Sequence, residues 1–202
     1  MTETPAKPGL RERKKLKTRA AIQEHALRLF REQGYDSTTV EQIAEAAEVS
    51  PSTFFRYFGS KEEVVIYDAL DPVLIDAWRR QPAEMGPVEA IRTAMKEVFG
   101  MLGPEGYADM MERGRLVLGI PELRLAMIND MMRTADIMAS EVALRSGGKA
   151  DPFNVRIFTG ALMGALLAAM LPALTTQPKD PKADLLSLLD RAFDFLEAGL
   201  PL

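Results

Sequence analysis

The chain has 202 residues, no cysteine and a formal net charge of −4, from 25 lysines and arginines against 29 aspartates and glutamates. A chain of this length can bury a substantial core in one large domain or two small ones. Disulfide bonds, thiolate metal sites and cysteine nucleophiles are excluded. Because the first fifteen residues lack the apolar stretch of a signal peptide, we expect a cytoplasmic protein.

The charge is unevenly distributed along the chain. Residues 1–61 carry 11 basic and 8 acidic side chains, whereas residues 62–202 carry 14 and 21. A basic N-terminal part on an acidic body is typical of a protein with a localised nucleic-acid-binding surface.

The N-terminal residues predict an arm followed by a long helix. Residues 1–10 contain prolines and a glycine before any helical periodicity, and we predict a disordered arm there. From Arg11 to Gln33 apolar residues recur at helical spacing, and Gly34 ends the helix. Basic residues, Lys17 among them, crowd its first turns, where they oppose the helix dipole. This placement favours a phosphate-facing cluster over an ordinary solvated face.

Residues 38–64 predict two short helices joined by a tight turn. Thr39 and Gln42 have the spacing of a capping box, so a helix should begin directly after Thr39. Ser50 can cap the next helix, and Pro51 suits its first position because no backbone N–H is needed there. The pattern is that of a helix–turn–helix.

The second short helix has an inner face and a defined end. Phe54 and Phe58 lie four residues apart and should point inward together. Gly59 can supply a left-handed stop. Ser60 and Glu63 form another capping box, which begins a third helix.

Helical patterns also account for the rest of the chain. Asp71–Pro72 allows either a kink in one long helix or the start of a new one; we predict one continuous helix from Ser60 to Arg80, bent at Pro72. No stretch shows the alternation of strands, so the predicted fold class is all-α, with about nine helices. The further helices are expected over residues 87–102, 105–118, 121–146, 152–178 and 181–198.

Residues 157–178 contain no charged side chain. Their length suits a membrane span, and Gly160 and Gly164 form a G-x-x-x-G pair. However, small residues are frequent, Pro172 interrupts the stretch, and aromatic belts and basic flanks are absent. We therefore favour a helix buried on nearly all sides, in a core or in a subunit interface.

That helix and the amphipathic helix over residues 181–198 suit a two-fold four-helix bundle made by two chains, although burial within one chain is an alternative. The predicted interface residues are Phe158, Ala161, Gly164, Ala165, Ala168, Leu185, Leu189, Phe193 and Leu196.

One set of residues between Thr18 and Val64 has a family-like spacing. It comprises the basic start of the first helix, the Gly34–Tyr35 stop, Thr38–Thr39–Val40, Ile43–Ala44, Ala47, Val49–Ser50, Phe58 and Ser60–Lys61–Glu62. With these residues, the run from Thr18 to Val64 resembles the DNA-binding domain of the tetracycline-repressor (TetR) family of bacterial transcriptional regulators. This resemblance implies a homodimer on an inverted-repeat operator, a small-molecule pocket in the C-terminal domain, and release from DNA when ligand shifts the helix after the recognition helix. The implied domains are a helix–turn–helix domain over residues 11–64 and an effector-binding and dimerisation domain over residues 65–202.

The recognition helix is short, so its first residues must reach the base edges in the major groove. Serine and threonine hydroxyls can donate or accept there, and apolar carbons can meet thymine methyl groups. None of the first residues of this helix offers the bidentate contact by which arginine reads guanine, so the operator sequence cannot be deduced from them. The predicted base-reading residues are Ser50, Pro51, Ser52 and Thr53.

Other residues are predicted to contact the DNA backbone. Lys61 and Tyr57 match the family's backbone-contacting positions, and Arg56 and Lys17 add positive charge. Thr39 can offer its hydroxyl and its backbone N–H to a phosphate at a helix start. Phe55 stands where the family usually has a tyrosine that contacts a phosphate; a phenyl ring can instead pack on a sugar or a thymine methyl.

Eleven of the 12 methionines lie beyond residue 84. Methionine adapts to irregular shapes, so we predict a hydrophobic effector, with an acyl chain or an aromatic ring. For each residue, ordinary core packing is the competing interpretation. The candidate lining residues are Trp78, Met95, Phe99, Tyr107, Met110, Met111, Met127, Met131 and Phe158, with Arg113, Asn129 or Asp130 as polar anchors.

We therefore expect a ligand-responsive transcriptional regulator, a repressor by the family's commoner habit, that binds double-stranded DNA as a homodimer and is released by a small hydrophobic effector. No metal cluster, glycine-rich phosphate loop or nucleophile–base set indicates catalysis, so we expect no enzyme activity, no cofactor and no metal. The alternatives are an all-α carrier of small molecules or lipids whose helix–turn–helix is incidental, and a membrane-anchored regulator.

Overall fold

The computed structural model describes residues 9–176 and 179–201, and within these ranges all regular structure is helical, as predicted. The chain divides between Tyr67 and Asp68 into two compact units. The predicted arm lies outside the described residues except for Gly9 and Leu10, and Leu10 is already helical. The ten helices of the described ranges are α1 Leu10–Gln33, α2 Val40–Ala46, α3 Pro51–Tyr57, α4 Lys61–Ile66, α5 Leu70–Arg80, α6 Pro87–Met101, α7 Pro104–Gly119, α8 Pro121–Arg145, α9 Pro152–Thr175 and α10 Pro181–Glu197.

The first unit contains α1 to α4, and its helix starts follow from the capping residues. The Thr39 hydroxyl accepts from the Gln42 N–H and the Gln42 side chain accepts from the Thr39 N–H, which completes the predicted capping box. Ser50 caps α3 by accepting from the N–H of Thr53 at 3.1 Å. Ser60 caps α4 in the same way.

The helix ends follow the prediction at one glycine and depart from it at the other. Gly34 ends α1 with a φ of 86°, in the left-handed region that favours glycine. Gly59 is not left-handed, so the predicted stop there is wrong: α3 ends because Phe58 is extended, with a φ of −139°. Between α2 and α3 the left-handed residue is Glu48, at a φ of 54°. The tight turn of the helix–turn–helix therefore places a side chain in a conformation that costs about 1 kcal/mol or more.

The core of the first unit is formed by the inward faces of all four helices. Phe54 and Phe58 point inward together, as predicted, with their ring centroids 6.0 Å apart. Every residue of this core is buried: Ile22, Ala26, Phe30, Tyr35, Ile43, Ala44, Phe54, Phe58, Val64 and Val65.

The predicted continuous helix through Pro72 is wrong. Helix α4 ends at Ile66 and α5 begins at Leu70, which accounts for ten helices where about nine were expected. The Asp68 carboxylate accepts from the Leu70 N–H at 2.8 Å and so starts α5. Pro72 lies in the first turn of α5, where its missing N–H has no intrahelical partner to lose.

The second unit contains α5 to α10 around a core rich in methionine and aromatic residues. Helices α5 and α8 are fastened to each other near their C-terminal ends. Arg79 forms a bidentate ion pair with Glu141, whose side chain is only 8% accessible. Arg145 donates to the backbone carbonyls of Gln81, Pro82 and Met85.

We predicted that α9 is buried on nearly all sides, either in a core or in a subunit interface. The core of the single chain does not bury it in this way. Among the residues that the structure describes, it is the one helix long and apolar enough to cross a membrane, and 22% of its most apolar stretch is buried. Six of its exposed residues recur every three or four positions and form one continuous stripe. They are Phe153, Ile157, Gly160, Gly164, Ala168 and Leu171.

Three of the residues predicted for a subunit interface lie instead inside the chain's own core. Leu185, Leu189 and Phe193 of α10 are 0%, 3% and 1% exposed, so a second chain has no access to them. Leu196 and Phe158 are partly buried against the same core. The small residues Ala161, Gly164, Ala165 and Ala168 are exposed or half-buried.

Candidate DNA-binding surface and effector region

The first residues of α3 carry a chain of hydroxyl hydrogen bonds. The hydroxyl of Ser50 donates to that of Thr53 at 2.9 Å. The Ser52 hydroxyl lies 2.9 Å from Ser50, and because Ser50 has already given its single proton, Ser52 is the donor of that bond. Arg56 also donates to the Thr53 hydroxyl, at 3.5 Å. Ser50, Pro51 and Ser52 are exposed.

Phe55 is exposed on α3 although its neighbour Phe54 is fully buried. The two rings meet edge to face, with centroids 5.4 Å apart and planes at 86°. Phe55 is 53% accessible, so more than half of an apolar ring faces water in the single chain.

Lys61 organises the loop between α1 and α2. Its ammonium donates to the backbone carbonyls of Tyr35 at 2.9 Å and Thr38 at 3.1 Å, and lies 3.9 Å from the centroid of the Tyr35 ring. An ammonium has three donors, so one remains for a phosphate. Thr39 follows directly in this loop, and its backbone N–H is already bound by Gln42. The predicted phosphate contact of Thr39 therefore reduces to its hydroxyl.

A partly buried hydrogen bond joins the same loop to α4. The phenol of Tyr35 donates to the Glu62 carboxylate at 2.7 Å. Burial alone would raise the pKa of Glu62, but hydrogen bonds from Ser60 and Tyr35 and the charge of Lys61 outweigh it, so the pKa is lowered.

The basic residues at the start of α1 do not all face solvent. Lys17 is exposed, as are Arg11, Arg13, Lys14 and Lys15. Arg19 instead lies over aromatic rings, 3.7 Å from the centroid of Tyr67 and 4.9 Å from that of Phe58.

Next to Arg19, the Gln23 amide donates to the backbone carbonyls of Val64 and Tyr67, each at 2.8 Å. We call Arg19, Gln23 and Tyr67 the α1–α4 clasp. It holds the end of α4 at the last residue of the first unit. The sequence did not predict this contact, because the spacing of apolar residues does not indicate which backbone carbonyls a glutamine side chain will bind.

The predicted effector residues separate into three groups. Trp78, Met95, Tyr107, Met110 and Met111 are buried together in the core of the second unit, with Phe99 and Phe158 at its edge. Met127 and Met131 are half-buried on α8. Asn129 lies on the exposed side of α8, away from this core, so it is not placed to anchor a buried ligand.

Charged residues gather where the chain enters the second unit. Arg113 of α7 forms an ion pair with Asp68, so this predicted anchor already holds a carboxylate. Although Asp71 keeps an exposed surface, desolvation by the surrounding protein and the nearby carboxylates of Asp68 and Asp130 raise its pKa to about 6, against the opposing charges of Arg113 and Arg133.

Two family sequence models match the chain. The model described as bacterial regulatory proteins of the tetR family matches residues 22–67, and that of the MftR C-terminal domain matches residues 85–201, more than half of the chain. The chain belongs to the TetR family. It is therefore a ligand-responsive, DNA-binding transcriptional regulator, as the resemblance of Thr18–Val64 implies.

Relatives of this TetR-family protein match along most of its length. The transcriptional regulator TcmR of Streptomyces glaucescens is 40% identical over 156 residues, covering 73% of this chain and 69% of its own. The regulator MftR of Mycobacterium tuberculosis is 28% identical over 185 residues, covering 89% of each chain. Among solved structures, Thermus thermophilus FadR, a TetR-family repressor in complex with lauroyl-CoA, is 26% identical with a TM-score of 0.58, covering 91% of this chain and 95% of its own.

Proposed function

We propose that this protein is a cytoplasmic repressor without enzymatic activity, which binds an inverted-repeat operator as a homodimer and leaves it when a small hydrophobic effector binds. The observation that supports operator binding most directly is the exposed start of α3, where Ser50, Pro51 and Ser52 stand free of the core on a helix fixed by Phe54. Short polar side chains at the start of a recognition helix are placed to read base edges.

The contacts divide by chemistry. Ser52, Thr53 and their neighbours on α3 read bases, whereas Lys61, Tyr57, Arg56, Thr39 and Lys17 bind phosphates. Base contacts provide specificity and phosphate contacts provide affinity for any sequence.

The homodimer is formed through the exposed apolar stripe of α9. Its residues recur every three or four positions along the helix, and glycine and alanine at its centre let a second helix approach closely. A stripe that meets its own copy gives the two-fold symmetry that an inverted repeat requires. Phe195 is also exposed, on α10, the helix that packs against α9. The same stripe accounts for the membrane-like composition of α9 without a membrane.

The effector enters beside the middle of α8. There Met127, Asp130 and Met131 are only half-buried, whereas Leu123 before them and Met138 and Glu141 after them are buried. The second half of α8 is fastened to α5 by Arg79 and Arg145, as described above, so the half-buried middle of the helix is the part proposed to admit a ligand. A methionine-rich interior suits an acyl chain, and T. thermophilus FadR, of similar fold, holds lauroyl-CoA.

The signal passes through the covalent junction of the two units. Asp68 accepts from the Leu70 N–H at the start of α5 and pairs with Arg113 of α7, so an effector that displaces either helix moves Asp68. The preceding residue, Tyr67, belongs to the α1–α4 clasp, which passes the displacement to α1 and α4. The effector must prefer the conformation that does not bind DNA; a hundredfold preference supplies about 2.7 kcal/mol.

A gel-shift assay on the DNA upstream of the gene tests operator binding. Thr53→Ala should weaken binding to the specific site by about 1–3 kcal/mol and leave binding to a scrambled duplex unchanged. Equal weakening on both duplexes, or no binding by the wild type at low salt, would count against the proposal. In a parallel thermal-shift assay, lauroyl-CoA should stabilise the protein and free coenzyme A should not.

A further inference from the structure

Phe55 is the exposed aromatic residue on the proposed base-reading helix. It lies four residues after Pro51 and three after Ser52, so the three side chains share the outer face of α3. Its ring is held by the edge-to-face contact with the buried Phe54, 5.4 Å between centroids. The ring and Pro51 therefore present a fixed apolar surface beside the Ser52 hydroxyl.

The polar groups around this surface are largely engaged with one another. Ser52 donates to Ser50 and Ser50 donates to Thr53, so two of the three hydroxyl protons at the start of α3 are bound within the helix. Positions 50 to 55 contain no arginine, lysine, asparagine or glutamine, the side chains that make bidentate contacts with guanine or adenine. The sequence discrimination of this helix start therefore cannot come from bidentate hydrogen bonds, and an apolar contact would add to the single hydroxyl contacts proposed for Ser52 and Thr53.

An apolar surface in the major groove has one apolar partner among the base edges, the C5 methyl group of thymine. A phenyl ring cannot donate to or accept from a phosphate, because it has no hydroxyl. We propose that Phe55, together with the ring of Pro51, recognises thymine by contact with this methyl group, so that each operator half-site carries a thymine opposite α3. The inference rests on the proposed operator binding and adds the base that is read.

Replacement of thymine by deoxyuridine tests this contact, because deoxyuridine lacks only the methyl group. Duplexes are first enriched from a random library with the wild-type protein. Each thymine of the enriched site is then replaced in turn, symmetrically in both half-sites, and affinities are measured by fluorescence polarisation for the wild type, Phe55→Ala and Phe55→Tyr.

At one thymine per half-site the wild type should lose about fourfold in affinity for each methyl removed, as expected for burial of one methyl group. Phe55→Ala should bind the thymine duplex more weakly and show no further loss with deoxyuridine, whereas Phe55→Tyr, which keeps the ring, should retain the sensitivity. Since Phe55 is half exposed, both variants should fold, and their melting temperatures verify this; Phe55→Leu replaces the alanine variant if it does not fold.

Two results would overturn the inference alone: enrichment of a specific site that is indifferent to deoxyuridine at every position, or the same deoxyuridine loss in the wild type and in Phe55→Ala. Enrichment of no sequence at all would overturn thymine recognition together with the proposed operator binding. The two failures are therefore distinguishable.

Discussion

Lys61 combines a structural role with a proposed role in DNA binding, and its replacement by methionine separates the two. Methionine keeps the apolar stem beside the Tyr35 ring and removes the ammonium. The ammonium donates to the carbonyls of Tyr35 and Thr38 at 2.9 and 3.1 Å. A hydrogen bond from a charged donor contributes about 1.5–3 kcal/mol, but Lys61 is half-buried and partly screened by water. We therefore expect Lys61→Met to lower the free energy of unfolding by about 2 kcal/mol.

Lys17→Met is the matched control, because Lys17 is exposed on α1. Its free energy of unfolding should change by less than about 0.5 kcal/mol. Urea titrations followed by circular dichroism measure both variants. In fluorescence polarisation, each variant should lose about 0.9 from the slope of log affinity against log salt for each phosphate contact removed. If Lys61→Met is as stable as the wild type, the ammonium does not hold the loop; if its salt slope is unchanged, the ammonium does not bind phosphate.

Three further predictions concern the clasp and the second unit. Gln23→Ala removes two hydrogen bonds of the α1–α4 clasp and should lower the free energy of unfolding in urea by about 1–3 kcal/mol, whereas alanine at the exposed neighbour Glu24 should have little effect. Arg79→Ala leaves the buried carboxylate of Glu141 without its ion pair, and it should lower the free energy of unfolding more than Glu141→Gln does, because the exposed Arg79 of that second variant can turn to water; the reverse order in urea titrations would refute this. Because the pKa of Asp71 in the folded protein, about 6, lies above its ordinary value of 3.8, this carboxyl makes stability fall as pH rises from about 4 to 6, with no further loss above that range. Asp71→Asn should flatten that part of the stability–pH curve and raise stability at pH 8, and an unchanged curve would show that Asp71 titrates normally.

The first unit could be predicted closely because its signals are local. Caps at Thr39, Ser50 and Ser60 act on backbone N–H groups three residues away, so the sequence spacing determines their partners. Phe54 and Phe58 are inward for the same reason, since four residues make about one helical turn. The error at Gly59 has a local cause too: the extended conformation of Phe58 ends α3 before a left-handed residue is needed.

Features that depend on distant partners could not be predicted. Arg19 lies among basic residues that face solvent, and only the fold brings the rings of Phe58 and Tyr67 beneath its guanidinium. At the break between α4 and α5, the Asp68 carboxylate accepts from the Leu70 N–H and also pairs with Arg113, 45 residues later.

Part of the predicted subunit interface lies in the chain's own core for a different reason. Helix α10 is amphipathic, and its apolar face, with Leu185 and Phe193, was predicted to meet a second chain although it fills the chain's own core. Helix α9 is apolar all round, so periodicity could not tell its inner side from the exposed stripe that begins at Phe153 and Ile157. Only packing distinguishes the two sides of such a helix.

Hydroxyl-radical footprinting of the DNA upstream of the gene tests the central claim most directly, because it reports the site, its symmetry and the face of the duplex in one measurement. Two copies of α3 reading adjacent major grooves should protect two half-sites related by a two-fold axis, about one helical turn or a multiple of it apart. Added lauroyl-CoA should abolish the protection at concentrations that stabilise the protein. Uniform protection without boundaries, or a single protected half-site at saturating protein, would contradict a two-fold regulator that reads DNA through α3.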